Sequence, residues 1–222
     1  MLREKLTTWK KQLTKSNEPI QICKICFNEI KVNSLYSLTH NNVVLCKKCI
    51  QEFKPKFINF DVLGYKGISI YNYDQKIQAL LYQFKGCFDY ELKDIFMTLF
   101  AKELSIMFHN YIMVPIPSYE KDDEIREFNH VVEMFSCLKL PVRRLIVKTK
   151  KVKQADRNFE KRKEINKYLE LKENPDLSSY KILLVDDVYT TGSTMKAAIR
   201  LIEKLRPKKI KVLVMSKTIN PK

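Results

Sequence analysis

The sequence predicts an α/β protein whose parallel sheet has helices on both faces, preceded by a small cysteine-rich module. Strand and helix patterns alternate from about Phe57 onward, four of the six cysteines form two close pairs, and one apolar strand ends in two aspartates before a hydroxyl-rich turn. We expect three parts: an N-terminal amphipathic helix over 1–18, the cysteine module over 19–56 and the main domain over 57–222.

The composition indicates a globular protein, and the net charge favours anionic ligands. The 222 residues are 45% hydrophobic and 30% charged, which is typical of a globule with a core. The 41 Lys and Arg against 25 Asp and Glu leave a net charge of +16, which attracts polyanions or phosphorylated small molecules. Because no apolar run approaches ~18 residues and no signal-peptide pattern opens the chain, we expect a cytoplasmic protein without membrane insertion.

The paired cysteines have the spacing C-x2-C-x19-C-x2-C, which is typical of a structural zinc site. Two thiolates separated by two residues can face one tetrahedral ion, and two such pairs close its coordination shell. Disulfides are the alternative, but a cytoplasmic chain is kept reduced. We therefore predict a zinc-ribbon module that binds structural Zn²⁺ through Cys23, Cys26, Cys46 and Cys49.

The segments around these pairs carry weaker patterns. Leu2, Leu6, Trp9 and Leu13 form one apolar stripe on a short helix, which either packs on the body of the protein or docks a partner. Apolar residues spaced through 30–44 predict short β-hairpins between the two cysteine pairs.

The main domain reads as alternating helices and strands. Apolar residues on one face predict helices over 74–84, 91–108, 125–138 and 193–205. Short apolar runs predict strands over 111–117, which two prolines end, and over 142–148, 181–185 and 209–215. The continuous apolar run 181–185 is typical of a buried parallel strand, whereas 149–172 is too charged to lie in the core.

The strand over 181–185 leads into the most informative segment. Asp186 and Asp187 follow at the edge where α/β proteins place ligands, and a helix begins after a glycine-containing turn. Free N–H groups at that helix start bind anions, and the carboxylates can accept hydrogen bonds from sugar hydroxyls. This predicts a ribose 5-phosphate site, although a simple helix cap and solvated acids are the alternatives. The turn is Thr190, Thr191, Gly192, Ser193 and Thr194.

Two common nucleotide-binding classes are excluded or disfavoured. The chain has no G-x-x-x-x-G-K-[ST], which excludes a P-loop, and no G-x-G-x-x-G, which disfavours a dinucleotide-binding fold.

These motifs are similar to those of a known family. The segment 184–194, LVDDVYTTGST, resembles the phosphoribosyl pyrophosphate (PRPP) signature of type I phosphoribosyltransferases. With the cysteine module ahead of it, the chain resembles the ComF/ComFC late-competence family. The segments 114–117 and 126–130 resemble that family's V-P-x-P and R-G-F-N-Q, with Glu127 in place of the glycine and His130 in place of the glutamine.

The resemblance implies a type I phosphoribosyltransferase sheet and a role for each motif. Residues 190–194 would hold the 5-phosphate, and the catalytic Asp186 and Asp187 would contact the ribose hydroxyls. The loop after 114–117 would face pyrophosphate, and Mg²⁺ would arrive on the PRPP oxygens. An acidic Glu127 would oppose the leaving pyrophosphate if it pointed inward.

The segment 139–172 carries nine of the sixteen surplus positive charges. It is a solvated loop, a cover that binds pyrophosphate, or a surface for single-stranded DNA. The resemblance implies a competence protein that handles single-stranded DNA with a ComFA-type ATPase; an active phosphoribosyltransferase with an unknown acceptor and no DNA role is the alternative. The DNA-binding candidates are Lys148, Lys150, Lys151, Lys153 and Arg157.

Overall fold

The computed structural model describes residues 21–30, 44–149 and 168–219. Internal contacts divide the chain into two units, 1–47 and 48–222, each of which we describe by itself. The predicted helix over 1–18 and nearly all of the hairpin segment between the cysteine pairs lie outside the described residues, and the predicted domain boundaries stay a prediction. Within the described residues, every helix is too short or too polar to span a bilayer.

The main unit contains two sheets. The described strands are β1 (Ile58–Val62), β2 (Tyr65–Asn72), β3 (Tyr111–Pro115), β4 (Ile146–Lys148), β5 (Leu169–Leu171), β6 (Lys181–Tyr189) and β7 (Lys209–Lys217). The five-stranded sheet has the order β1-β2-β7-β6-β3, in which β1 is antiparallel to β2 and every other pair is parallel. The antiparallel pair β4–β5 forms a separate ribbon.

Helices connect these strands. The described α-helices are α1 (Lys47–Phe53), α2 (Gln75–Gly86), α3 (Lys93–Met97), α4 (Ala101–Phe108), α5 (Glu120–Arg126), α6 (His130–Phe135) and α7 (Ser193–Glu203). Short 3-10 turns at Tyr90–Leu92, Thr98–Phe100 and Ser136–Leu138 extend α3, α4 and α6.

Both faces of the large sheet are covered by helices. On one face Ile182 and Leu184 of β6 share a buried cluster with Met195 and Ile199 of α7. On the other face β6 contacts α6, and Lys85 at the end of α2 reaches the same strand. The predicted fold class, a mostly parallel α/β sheet with helices on both faces, is confirmed.

Two predicted helices are interrupted. The span 91–108 forms α3 and α4 with 3-10 turns between and before them, rather than one helix. The span 125–138 contains a break, because Glu127 has a left-handed φ of 63° and Asn129 then caps α6 by accepting from Val132 N–H. Apolar periodicity ran across both breaks and did not reveal them.

The strands differ from the prediction at their ends. The predicted strand over 142–148 is shorter, since β4 begins at Ile146 and Val142 makes only an isolated bridge to Met113. The hairpin β1–β2 was not predicted, because its two-residue turn is Leu63-Gly64, both with positive φ, instead of an Asn-Gly signature.

Candidate functional site

The acid pair lies inside β6, which continues to Tyr189 instead of ending at the two aspartates. Side chains alternate along a strand, so Asp186 follows Ile182 and Leu184 toward the α7 side. Asp187 faces the elements that carry Lys85 and His130. The two predicted acids therefore have different surroundings.

The hydroxyl-rich turn joins β6 to α7 as predicted. Gly192 has a left-handed φ of 72°, and a Cβ built there would lie 2.2 Å from the Tyr189 hydroxyl. Only glycine fits this position without a shift, because both the backbone conformation and the space exclude a side chain. The turn thus passes directly over the end of the strand.

The N-terminus of α7 provides hydrogen-bond donors next to that turn. The first hydrogen bond of the helix runs from Lys196 N–H to Gly192 O. The N–H groups of Ser193, Thr194 and Met195 therefore lie ahead of the i→i−4 hydrogen bonds of α7. Thr191 is exposed, and its hydroxyl lies 2.9 Å from that of Ser193. Such amides and hydroxyls can surround a phosphate group.

Asp187 is held by three donors. Its Oδ2 accepts from Lys85 Nζ at 2.7 Å and lies 3.2 Å from His130 Nε2, while its Oδ1 accepts from Val188 N–H at 2.7 Å. Its side chain is 11% exposed. By contrast, Asp186 Oδ1 accepts a hydrogen bond from the Asp187 N–H at 2.9 Å.

The charges follow from these contacts. Burial raises the pKa of Asp187, but the Lys85 ammonium and the His130 hydrogen bond outweigh burial and hold that pKa well below its usual range. Burial, and then the charge of Asp187, raise the pKa of Asp186 well above its usual range. Burial lowers the pKa of Lys85, but Asp187 more than compensates and the net shift is upward.

A polar network extends from Asp187 toward the end of β3. Arg126 donates to Asp123 Oδ1 at 2.8 Å and lies 3.2 Å from His130 Nδ1. Asn129 donates to Asp123 Oδ2 at 2.6 Å, and Ser118 donates to Asp123 Oδ1. Because a guanidinium can only donate, His130 Nδ1 is the acceptor and Nε2–H donates to Asp187.

Sequence reasoning missed Lys85 and Asp123 as site residues. Lys85 directly follows the predicted helix over 74–84, and nothing local in its sequence indicates a partner 102 positions later. The resemblance of 126–130 to a family motif was the available signal for Arg126 and His130.

A cleft of about 130 Å³ lies beside this network. Ser118, which begins the loop after 114–117 that we expect to face pyrophosphate, lines this cleft. Arg144, Lys148 and Lys172 line it together with Asp123. Glu127 is exposed and is not among the lining residues. The full lining is Pro115, Pro117, Ser118, Glu120, Asp123, Asn129, Arg144, Ile146, Val147, Lys148 and Lys172.

Of the predicted DNA-binding residues, Lys148 is described: it is half-buried at the end of β4 and lines the cleft. The others, Lys150, Lys151, Lys153 and Arg157, lie outside the described residues.

The four predicted cysteine ligands come together. The sulfur atoms of Cys23, Cys26, Cys46 and Cys49 all lie within 4.8 Å of one another, and the Cys26 and Cys46 sulfurs are 3.6 Å apart. Zn–S bonds of ~2.3 Å at tetrahedral angles need sulfurs about 3.8 Å apart, so the set fits one such ion.

The protonation of Cys23 also suits a metal ligand. Burial raises the pKa of the Cys23 thiol, but hydrogen bonds from backbone N–H groups outweigh burial and lower it to about 7. A four-cysteine group that can hold a metal ion is confirmed; the identity of the ion as Zn²⁺ stays a prediction.

Comparison with known proteins gave a match to a family model and two relatives. The phosphoribosyl transferase domain matches residues 128–218. "Competence protein ComFC" of Bacillus subtilis is 27% identical over 186 residues, covering 82% of this chain and 72% of that protein. The protein of the same name from Streptococcus pneumoniae is 23% identical over 214 residues, covering 85% of this chain and 96% of that protein.

Solved structures with some similarity include two phosphoribosyltransferases. A hypoxanthine phosphoribosyltransferase from Staphylococcus aureus has a TM-score of 0.36 at 9% identity, covering 56% of this chain and 62% of that one. A purine phosphoribosyltransferase from Pyrococcus horikoshii has a TM-score of 0.34 at 17% identity, covering 57% of this chain and 83% of that one.

Proposed function

We propose, from the now confirmed resemblance of this chain to the ComF/ComFC competence family, that it is a competence protein that binds PRPP and assists the handling of incoming single-stranded DNA. The chain is similar to two ComFC proteins over more than four-fifths of its length and contains a phosphoribosyl transferase domain. The observation that supports PRPP binding best is the turn of 190–194, with Gly192 in a left-handed conformation, next to the two acids of β6.

Each part of PRPP has a suitable group in this proposal. The turn and the first amides of α7 bind the 5-phosphate, and a carboxylate of the acid pair accepts from the ribose hydroxyls. Arg144, Lys148 and Lys172 supply cations for a pyrophosphate group in a cleft that Glu120 and Asp123 also line. Mg²⁺ would bind mainly through the PRPP oxygens and neutralise part of their charge.

Zn²⁺ is the metal that we propose for the four-cysteine group, because four thiolates in a tetrahedral set favour it. The basic segment after β4 is the proposed surface for single-stranded DNA, and a ComFA-type ATPase is the proposed protein partner.

The second candidate function is an active phosphoribosyltransferase. In that reaction a nucleophile bonds to C1 of the ribose as the bond to pyrophosphate breaks. Glu127 is exposed and is not among the cleft-lining residues, so it adds nothing to the negative charge that Glu120 and Asp123 place there. Preorganised cations around that group would then supply much of the rate.

Thermal unfolding of the full chain with PRPP, ribose 5-phosphate or pyrophosphate, each with Mg²⁺, tests the proposal. Ligand at 100 times its Kd stabilises by ~2.7 kcal/mol, which raises the Tm of a chain this long by about 5–11 °C. PRPP should give this shift, ribose 5-phosphate a smaller one, and Asp186→Asn should remove it. Equal shifts with pyrophosphate alone would contradict a sugar-phosphate site, and release of pyrophosphate with a cell metabolite extract would support turnover.

A further inference from the structure

The edge of the large sheet opposite the proposed PRPP site is strongly basic. The strands β3, β6 and β7 are parallel, so they all begin at this edge, whereas Asp187 lies near the other. From Lys181 to Asp187 β6 advances six residues, or about 20 Å at ~3.3 Å per residue. Five of the eight residues over 204–211, which run from the end of α7 into β7, are Lys or Arg, and none is acidic.

Strand register brings several of these cations together. Lys181 of β6 lies directly opposite Lys209 of β7, and Lys211 is on the same face because it is two residues further along β7. Like charges directly opposite each other destabilise a sheet, and a bound anion would relieve that repulsion. The Nζ atoms of Lys181 and Lys211 are each 5.8 Å from the centre of the Tyr111 ring. Cation–π attraction therefore holds both ammonium groups at this edge.

An exposed aromatic ring lies beside these lysines. Tyr180 directly precedes Lys181, is 42% exposed, and its carbonyl accepts from the Lys208 N–H at 2.9 Å. The guanidinium carbon of Arg143 lies 5.6 Å from the centre of the Tyr180 ring. Cations around an exposed ring suit single-stranded nucleic acid, because its phosphates bind the cations and an unpaired base stacks on the ring.

Little of the charge at this edge is neutralised. Within the described residues, the ion pair here joins Arg206 to Asp176, at 3.7 Å between two exposed side chains. Exposed pairs of this kind contribute little. In the same described part of the chain, Arg143, Lys208 and Lys209 are exposed and form no ion pair. Their positive potential is left for a ligand.

We propose that this basic edge is a further binding surface for single-stranded DNA, separate from the PRPP site and from the basic segment after β4. The inference rests on the DNA-handling part of the proposed function and adds a contact surface on the folded sheet. Phosphates of the strand bind the Lys and Arg side chains, and one base stacks on Tyr180. The flat faces of that ring and of a guanidinium favour a base over a lipid head group. The basic edge consists of Arg143, Tyr180, Lys181, Lys208, Lys209 and Lys211.

Binding of labelled oligothymidylate to the full chain, measured over a range of salt concentrations, tests the cations. The double variant Lys208→Gln, Lys209→Gln removes two phosphate contacts. It should flatten the log–log salt dependence by about 1.4 and weaken binding at 0.1 M salt by roughly 25-fold. The matched control is Lys56→Gln, Lys66→Gln, which removes the same charge from exposed positions at the β1–β2 hairpin and should change neither quantity by as much. Both variants should keep the Tm of the unaltered protein.

Two substitutions of Tyr180 test the stacking. Tyr180→Leu should weaken oligothymidylate binding by roughly 5- to 100-fold without changing the salt slope, because it removes a ring and no charge. Tyr180→Phe keeps the ring and should keep the affinity. A Tyr180→Leu variant that binds like the unaltered protein would show that no base stacks there.

The outcomes separate this surface from the other candidates. PRPP with Mg²⁺, at constant ionic strength, should not displace the oligonucleotide; displacement, or equal binding by the lysine variant and its control, would overturn the inference. If charge reversal at Lys150 and Lys151 alone removes binding, DNA handling stands and the basic edge is excluded. If the unaltered chain binds no oligonucleotide, both fail. Loss of binding to phosphatidylglycerol vesicles in the lysine variant, with DNA binding unchanged, would assign the edge to a membrane instead.

Discussion

Replacing Gly192 with alanine should both destabilise the protein and destroy the phosphate turn. A left-handed φ costs a non-glycine residue about 1–2 kcal/mol. The added Cβ would also lie 2.2 Å from the Tyr189 hydroxyl and 2.4 Å from its Cζ, so this half-buried ring must turn aside, which costs a further ~0.5–1.5 kcal/mol. Together they predict a loss of about 1.5–3.5 kcal/mol.

Gly64 provides the matched control for this substitution. It has a φ of 82°, and a Cβ there would have nothing within 4 Å. Gly64→Ala should therefore cost only the backbone part, about 1–2 kcal/mol, which lowers the Tm by roughly 2–8 °C. The difference between the two variants isolates the contact with Tyr189.

The assay is thermal unfolding with and without PRPP and Mg²⁺. We expect Gly192→Ala to lose more stability than Gly64→Ala and to lose the PRPP-dependent shift, which Gly64→Ala keeps. Equal losses for the two variants would refute the close approach of the turn to Tyr189. A normal PRPP shift in Gly192→Ala would refute the assignment of the phosphate to this turn.

Three further perturbations test other parts of the structure. Glu127→Gly should raise the free energy of unfolding by about 0.5–1 kcal/mol in urea titrations, because it relieves a left-handed φ of 63°; a loss of stability would contradict that strain. The Cys46→Ser variant should contain much less zinc by elemental analysis, and an unchanged zinc content would refute the metal site. In the unaltered protein, zinc affinity should fall as the pH drops through about 7, because the Cys23 thiolate then gains a proton. Charge reversal at Lys150 and Lys151 should weaken binding of single-stranded DNA and flatten the log–log salt dependence by about 1.4, whereas an unchanged slope would place both side chains off the DNA surface.

Local patterns were sufficient to predict the elements that position the site. The apolar run before Asp186 is a buried parallel strand, and the helix after Gly192 begins one residue later. Both are predictable from neighbouring residues, because a strand buried on two faces is a continuous apolar run and a helix start has characteristic residue types. The paired cysteines are predictable for the same reason, since ligand spacing is local.

The unequal surroundings of the two acids were not predictable. Asp186 and Asp187 are the same residue type at adjacent positions. The difference in their surroundings depends on Lys85 and His130, which lie 102 and 57 positions away in the sequence. The break at Glu127 was also hidden, because an exposed left-handed residue leaves the apolar pattern on both sides unchanged. Long-range pairing and single backbone angles have no periodic signature.

Calorimetric titration of the unaltered full chain with PRPP in the presence of Mg²⁺ tests the sugar-phosphate site most directly. We expect saturable binding of one PRPP per chain, weakened at least about tenfold by Asp186→Asn and displaced by ribose 5-phosphate. Absence of binding heat at any temperature tried, or the same affinity for pyrophosphate alone, would contradict it.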